Sequence, residues 1–153
     1  MTTRRPSVLI LEARFYEDIS DELARGALVA LDRAGIAHER IAVPGALEIP
    51  IALSIAINAG HVGRRGRHRG CVALGCVIRG ETGHYDIVAN QSARGLMELA
   101  VAHHLPVGNG ILTVDTPEQA WARARVGEGD KGGSAVRACL ALMDAADRLE
   151  SKP

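Results

Sequence analysis

Residues Cys71 to Ile78, reading CVALGCVI, form a continuous apolar run without helical spacing. That pattern suits a strand buried on both faces. A strand of this kind has to be covered by other layers on each side, which confines the chain to architectures with a central sheet. Polarity then jumps: Arg79, Glu81, Thr82 and His84 arrive together, punctuated by Gly80 and Gly83, and a helical pattern starts near Asp86. Strand, glycine-containing polar turn and helix start is the arrangement in which backbone N–H groups and the positive helix end hold an anion. A histidine beside such a turn supplies a proton carrier near neutral pH.

The rest of the chain alternates in the same way. Val8 to Leu11 predicts a strand, and Leu23, Ala27, Ala30, Leu31 and Ala34 mark one face of a helix ended by Gly35. Ile41 to Val43 predicts a short strand stopped by Pro44-Gly45, followed by a helix over Pro50 to Ala59. After the central strand a long helix reaches about His104, and a strand follows over Gly110 to Val114. Thr116-Pro117-Glu118-Gln119 reads as a helix start, with Thr as N-cap, Pro at the first helical position and Gln closing a capping box. Beyond the glycine-rich break at Gly127 to Gly133, a last helix carries Ala135, Cys139, Leu142 and Met143. Alternating strands and helices imply parallel pairing, so the expected fold is α/β: a doubly wound sheet of about four strands with its site at the carboxyl ends. One domain is expected over residues 1–153, with 1–7 a flexible leading segment.

Composition narrows the function. The 153 residues carry 18 basic and 18 acidic side chains, a formal net charge of zero that argues against a general electrostatic role on nucleic acid or membrane. No apolar segment reaches the roughly 18 residues of a membrane span, and the start lacks a secretory pattern. Cys71, Cys76 and Cys139, without a CxxC unit, suggest reduced thiols in a cytoplasmic protein. If Cys71 and Cys76 share a strand, their odd separation sends them to opposite faces.

In this topology the residues just after each strand converge on one rim: Arg14 to Tyr16, Pro44 to Glu48, Arg79 to His84, and Asp115-Thr116. The residues alone leave open whether Phe15 stacks on a planar heterocycle or plugs the core. They leave open equally whether Glu48 meets a ligand hydroxyl or a helix N-terminal amide.

Four segments in order, PGALEIP, GCVIRGETGHYDIVAN, GILTVDTPEQAWARA and DKGG, resemble the lumazine synthase family over about Val8 to Leu149. The resemblance implies a flavodoxin-like three-layer sandwich with helices on both faces of a four-stranded parallel sheet. It implies a transferase that condenses 5-amino-6-(D-ribitylamino)uracil with 3,4-dihydroxy-2-butanone 4-phosphate. The product is 6,7-dimethyl-8-ribityllumazine, released with phosphate and water in the penultimate step of riboflavin biosynthesis. It further implies a pentamer or an assembly of pentamers with active sites between subunits, and no metal or organic cofactor. Carried over by position, Phe15 would stack on the pyrimidine and Glu48 would bind ribityl hydroxyls. Ala46 and Leu47 would line the same pocket, and backbone at Val77 and Ile78 would hold the ring edge. Glu81 and Thr82 would bind the phosphate, joined by Arg123 from the adjacent subunit and by Lys131, and His84 would shuttle protons. Leu47 stands where many members have phenylalanine, and Asn109 occupies another commonly aromatic position contributed across the interface. Both thin the aromatic lining. A non-catalytic flavin-binding protein on the same scaffold is the rival reading.

Two other motifs carry less. Gly60 to Gly70 holds Arg64, Arg65, Arg67 and Arg69 with His61 and His68, and Gly63-x-x-Gly66 resembles an RNA-binding loop as a string. A solvated surface loop is expected instead, since no aromatic base-stacking platform accompanies it. Gly127-x-Gly129-x-x-Gly132 fits a dinucleotide fingerprint but follows a helix, so it reads as a hinge.

Overall fold

The computed structural model describes residues 5–151. Strands β1 (Ser7–Ala13), β2 (Ala37–Val43), β3 (Gly70–Ile78) and β4 (Val107–Val114) pair in parallel in the order β2-β1-β3-β4. Helices α1 (Glu17–Ala34), α2 (Glu48–Asn58), α3 (His84–His103), α4 (Pro117–Ala124) and α5 (Lys131–Glu150) fill the crossovers and close the chain. This is the expected three-layer flavodoxin-like α/β sandwich.

The period-two alternation of the strands divides the core. Val8, Ile10, Val72, Leu74 and Leu112 meet Leu23, Leu31, Val136 and Met143 on the α1/α5 side. Leu9, Leu11, Cys71 and Ala73 meet Ile49, Leu53 and Leu96 on the α2/α3 side. Cys71 and Cys76 accordingly fall in different layers, and the three cysteines are free and buried. α5 lies unusually close to its neighbours, which requires glycine at the contacts. A Cβ on Gly132 would stand 2.0 Å from the Leu23 carbonyl oxygen, and one on Gly108 1.9 Å from that of Ala135. No helix among the described residues is long and apolar enough to cross a membrane.

Several boundaries differ from the sequence reading. β2 begins at Ala37 rather than Ile41, because its polar start, Ala-His-Glu-Arg, lies on an exposed sheet edge and needs no apolar pattern. α2 begins at Glu48, placing Pro50 in its first turn, where no amide donor is missed. Of the leading segment 1–7, residues 1–4 lie outside the described residues, while Ser7 already belongs to β1 and its carbonyl accepts from Arg69 N–H at 3.0 Å. The capping box of α4 is shifted by one: Thr116 Oγ1 accepts from Gln119 N–H at 3.2 Å, but Gln119 Oε1 accepts from Asp115 N–H at 2.7 Å.

The loop from Gly60 to Gly70 is not simply solvated. Val62 is buried in the α2/α3 core and bridges to His68, whose side chain is also buried. Arg64 and Arg69 pair with Glu150 and Asp147 of α5.

Candidate active site

Strand order reverses between β1 and β3, and in open α/β sheets ligands bind outside the carboxyl ends of the strands at such a switch point. A cleft of about 380 Å³ lies there, lined by residues following β1, β2 and β3 and by the first turns of α3. It sits over the strand ends, so both faces contribute: Cys76 and Ile78 from one, Val77 from the other.

Eight of the residues singled out in the sequence line this cleft: Phe15, Ala46, Leu47, Glu48, Val77, Ile78, Thr82 and His84. Phe15 is 74% exposed, which removes the core-plug reading and leaves a flat apolar face at the rim. Tyr16 meets it edge-on with ring centroids 4.9 Å apart. Glu48 is half-buried in the first turn of α2. Its side chain lines the cleft and, among the described residues, accepts no bond from a helix amide.

At β3 the apolar run ends in the turn Arg79 to Gly83, and His84 opens α3 with its amide donating to Thr82 Oγ1 at 3.3 Å. Gly83, the N-cap, offers no side chain to the first turn; the Asp86 N–H donates to the Gly83 carbonyl at 3.2 Å, and among the described residues the Tyr85 N–H is left for solvent or a ligand. A Cβ on Gly80 or Gly83 would meet nothing within 4 Å, so the turn is open to approach. Glu81 and His84 are exposed; Glu81 lies in this turn without lining the cleft.

Arg79 does not point a free charge at the turn. Its Nε donates to Asp115 Oδ1 at 3.0 Å, its Nη1 lies 3.7 Å from Asp86, and its guanidinium stacks 4.1 Å from the Tyr85 ring centre. The hydrogen bond to Asp115 raises its pKa further, so it stays charged as a clamp between the β3 and β4 ends. Behind the rim, Arg40 Nε and Arg14 Nη1 donate to buried Glu12 at 2.5 and 2.8 Å. Burial pushes the Glu12 carboxyl up, but bonds from Arg40 and Arg14 outweigh it and hold the group below its ordinary value.

Three singled-out residues stand apart from the cleft of their own chain. Asn109, on β4, accepts from Ile111 N–H at 2.9 Å and borders a second hollow of about 450 Å³ between α3, β4 and α5. Arg123 lies exposed on α4 with its Nη1 donating to the Gln119 carbonyl at 3.0 Å, and Lys131 opens α5. Conversely, Cys76, Tyr85 and Val88 line the cleft without having been singled out as site residues. Val88 follows His84 by four positions and shares its helix face, a signal the spacing does contain. Burial pushes the Cys76 thiol up to about 11, so it acts as an apolar floor rather than a nucleophile.

A protein-family model described as 6,7-dimethyl-8-ribityllumazine synthase matches residues 5–147. The chain is 60% identical over 136 residues to the 6,7-dimethyl-8-ribityllumazine synthase of Azorhizobium caulinodans, covering 89% of this chain and 83% of that protein. It is 56% identical over 142 residues to 6,7-dimethyl-8-ribityllumazine synthase 1 of Rhizobium meliloti, covering 93% and 92%. With the Agrobacterium fabrum protein of the same name, identity is 53% over 145 residues, covering 95% and 97%. With a switch-point cleft built from the family's own segments and matches of this extent, the chain belongs to the 6,7-dimethyl-8-ribityllumazine synthase family.

Proposed function

We propose that this cleft condenses 5-amino-6-(D-ribitylamino)uracil with 3,4-dihydroxy-2-butanone 4-phosphate to 6,7-dimethyl-8-ribityllumazine, phosphate and water. The observation carrying the reading is the convergence of exposed Phe15, half-buried Glu48 and exposed His84 on one cleft. Phe15 stacks on the pyrimidine, and Glu48 accepts from ribityl hydroxyls. Ala46, Leu47, Val77 and Ile78 wall the ring and exclude water. Attack of the amine on the ketone, and loss of water to the imine, require a proton to leave nitrogen and one to reach oxygen. His84 carries these protons and then assists elimination of phosphate; the enol so formed ketonises, the ribitylamino nitrogen attacks that carbonyl, and a second water leaves as the ring closes. A positioned histidine contributes typically about 10²- to 10⁴-fold. The phosphate sits at the N-terminus of α3 against Glu81 and Thr82, where amides and the helix end favour an anion.

The chain works as one domain and as a homo-oligomer in the cytoplasm. Exposed apolar side chains on α2 (Ile51, Ile55) and α3 (Ile87, Met97, Val101) support the assembly, each more than half exposed. Asn109, Arg123 and Lys131 then serve the cleft of a neighbouring copy, the two cations pairing with its phosphate. Free buried thiols fit a reducing compartment.

The test mixes purified protein with both substrates and follows lumazine fluorescence and released phosphate against an enzyme-free control. Matched acceleration of both signals is expected. A folded protein that accelerates neither sinks the catalytic reading and favours a flavin-binding one.

A further inference from the structure

At the opposite end of the sheet from the cleft, Glu39 near the start of β2 meets both histidines of the Gly60–Gly70 loop. His61 Nε2 lies 2.6 Å and His68 Nε2 2.7 Å from the same Glu39 oxygen, Oε1. The ligand atoms of the three residues all lie within 4.8 Å of one another. The two rings are crossed at 74° with centroids 5.1 Å apart, so both nitrogens aim at one point from different directions.

The arrangement is built rather than incidental. His68 is 3% exposed, and its backbone is fixed by His68 N–H to the His61 carbonyl at 3.0 Å and Gly63 N–H to the His68 carbonyl at 2.9 Å. Ser7 Oγ stands 2.8 Å from His68 Nδ1 and 3.1 Å from the Arg67 carbonyl. A hydroxyl has one proton to donate. If Ser7 gives it to the carbonyl, His68 Nδ1 must carry a hydrogen and donate to Ser7. Neutral His68 then presents the lone pair of Nε2 to a carboxylate oxygen, two acceptors face to face. Only a cation between them, a proton or a metal, resolves that contact. A ligating histidine that donates its other ring N–H to an oxygen is the usual supporting arrangement of a metal site.

Two imidazoles and one carboxylate suit zinc and similar borderline cations better than calcium or magnesium. Tetrahedral zinc with ligands at about 2.0–2.1 Å sets ligand atoms about 3.3 Å apart, so each N···O pair must part by less than about 1 Å. Glu39 and His61, both only partly buried, have that freedom. Of the loop's arginines, Arg64 and Arg69 are neutralised by Glu150 and Asp147, which lessens the repulsion a dication would meet.

We propose that Glu39, His61 and His68 form a binding site for a zinc-class divalent cation, separate from the active site, that fastens the Gly60–Gly70 loop to edge strand β2. Three protein ligands leave a fourth position for water.

The test uses tag-free, chelator-stripped full-length protein titrated with zinc chloride by calorimetry, with cobalt(II) absorption as a second probe. About one zinc per chain and a tetrahedral cobalt spectrum are expected. His61→Ala, at a partly exposed position, should lose this equivalent while keeping its circular dichroism, and Ser7→Ala should weaken it about 10- to 100-fold. His104→Ala, at the end of α3 and outside the cluster, should retain it. Zinc should slow amide hydrogen exchange across Gly60–Gly70 in wild type but not in His61→Ala. Wild type that binds no zinc, or His61→Ala that binds it as well as wild type, overturns the site. Binding without slowed exchange overturns its fastening role.

Discussion

Replacing Phe15 by alanine separates a binding role from a structural one, because the ring is 74% exposed. Truncation removes little buried surface. Surface substitutions usually change stability by no more than about 0.5 kcal/mol, and an exposed edge contact such as that with Tyr16 adds at most about 1 kcal/mol. For a chain of this size each kcal/mol moves Tm by about 2–4 °C, so the shift should stay below about 6 °C. A buried plug would instead cost about 3–5 kcal/mol and bring Tm down by about 6–20 °C. Stacking of a flat heterocycle on an aromatic side chain is worth about 1–3 kcal/mol, which raises KM for the ribitylaminouracil by about 5- to 150-fold. Because the ring stays stacked through the reaction, kcat should change far less than KM. The assay is steady-state lumazine formation beside a thermal melt, with assembly checked by sedimentation. An unchanged KM would take Phe15 out of the site, and a large loss of Tm would mean its ring is buried in the working assembly.

Three further outcomes follow from particular contacts. His84→Ala should lower kcat by about 10²- to 10⁴-fold with the melt unchanged, since the side chain is exposed at the start of α3; unchanged turnover removes it from the mechanism. Gly132→Ala would drive a Cβ to 2.0 Å from the Leu23 carbonyl and should cost about 1–3 kcal/mol as α5 is pushed off α1, visible as a lower denaturant midpoint. Glu12→Gln should cost about 2 kcal/mol at pH 7. The folded-state pKa of Glu12 is depressed, so its stabilisation is present above the ordinary carboxylate range and is lost as pH falls through the lowered value. The gap between wild type and variant in denaturant melts should therefore close below about pH 4, and a gap independent of pH would assign the effect to shape rather than charge.

What the sequence made legible follows from where burial dictates residue type. β3 is covered on both sides, so its apolar run announces a strand with nearly correct ends. β2, at a sheet edge, carries Ala-His-Glu-Arg in its first half, which periodicity cannot distinguish from loop, so the apolar pattern marks the strand only from Ile41, four residues inside it. Phe15 and Glu48 stand out because a lone aromatic and an acid among apolar neighbours are conspicuous, but only exposure in the fold removes the core-plug alternative for Phe15. Cys76 and Val88 were missed as site residues because their chemistry is that of any core side chain. The meeting of Glu39 with His61 and His68 was illegible for another reason: it joins residues 22 and 29 positions apart across a strand edge and a loop. A count of charges reads that same loop as uniformly basic.

The distribution of charge around the cleft bears on why such a chain would assemble. Phosphate elimination calls for cations near the leaving group, and the nearest arginine of the turn, Arg79, is already committed to Asp115, Asp86 and the Tyr85 ring. Helix α3 supplies partial charge only, equivalent to about half an elementary charge at its N-terminus. Among the described residues, Arg123, exposed on α4, holds only a backbone carbonyl of its own helix, a contact it can exchange for a phosphate at small cost. Exposed Met97 and Val101 lie on α3 beside the hollow that Asn109 borders, so a copy seated on that apolar surface would bury it and bring Asn109 to its own cleft in one step. On the proposed reading the association of copies and the completion of the site are one event: the apolar faces supply the affinity, and the unspent cations supply the chemistry.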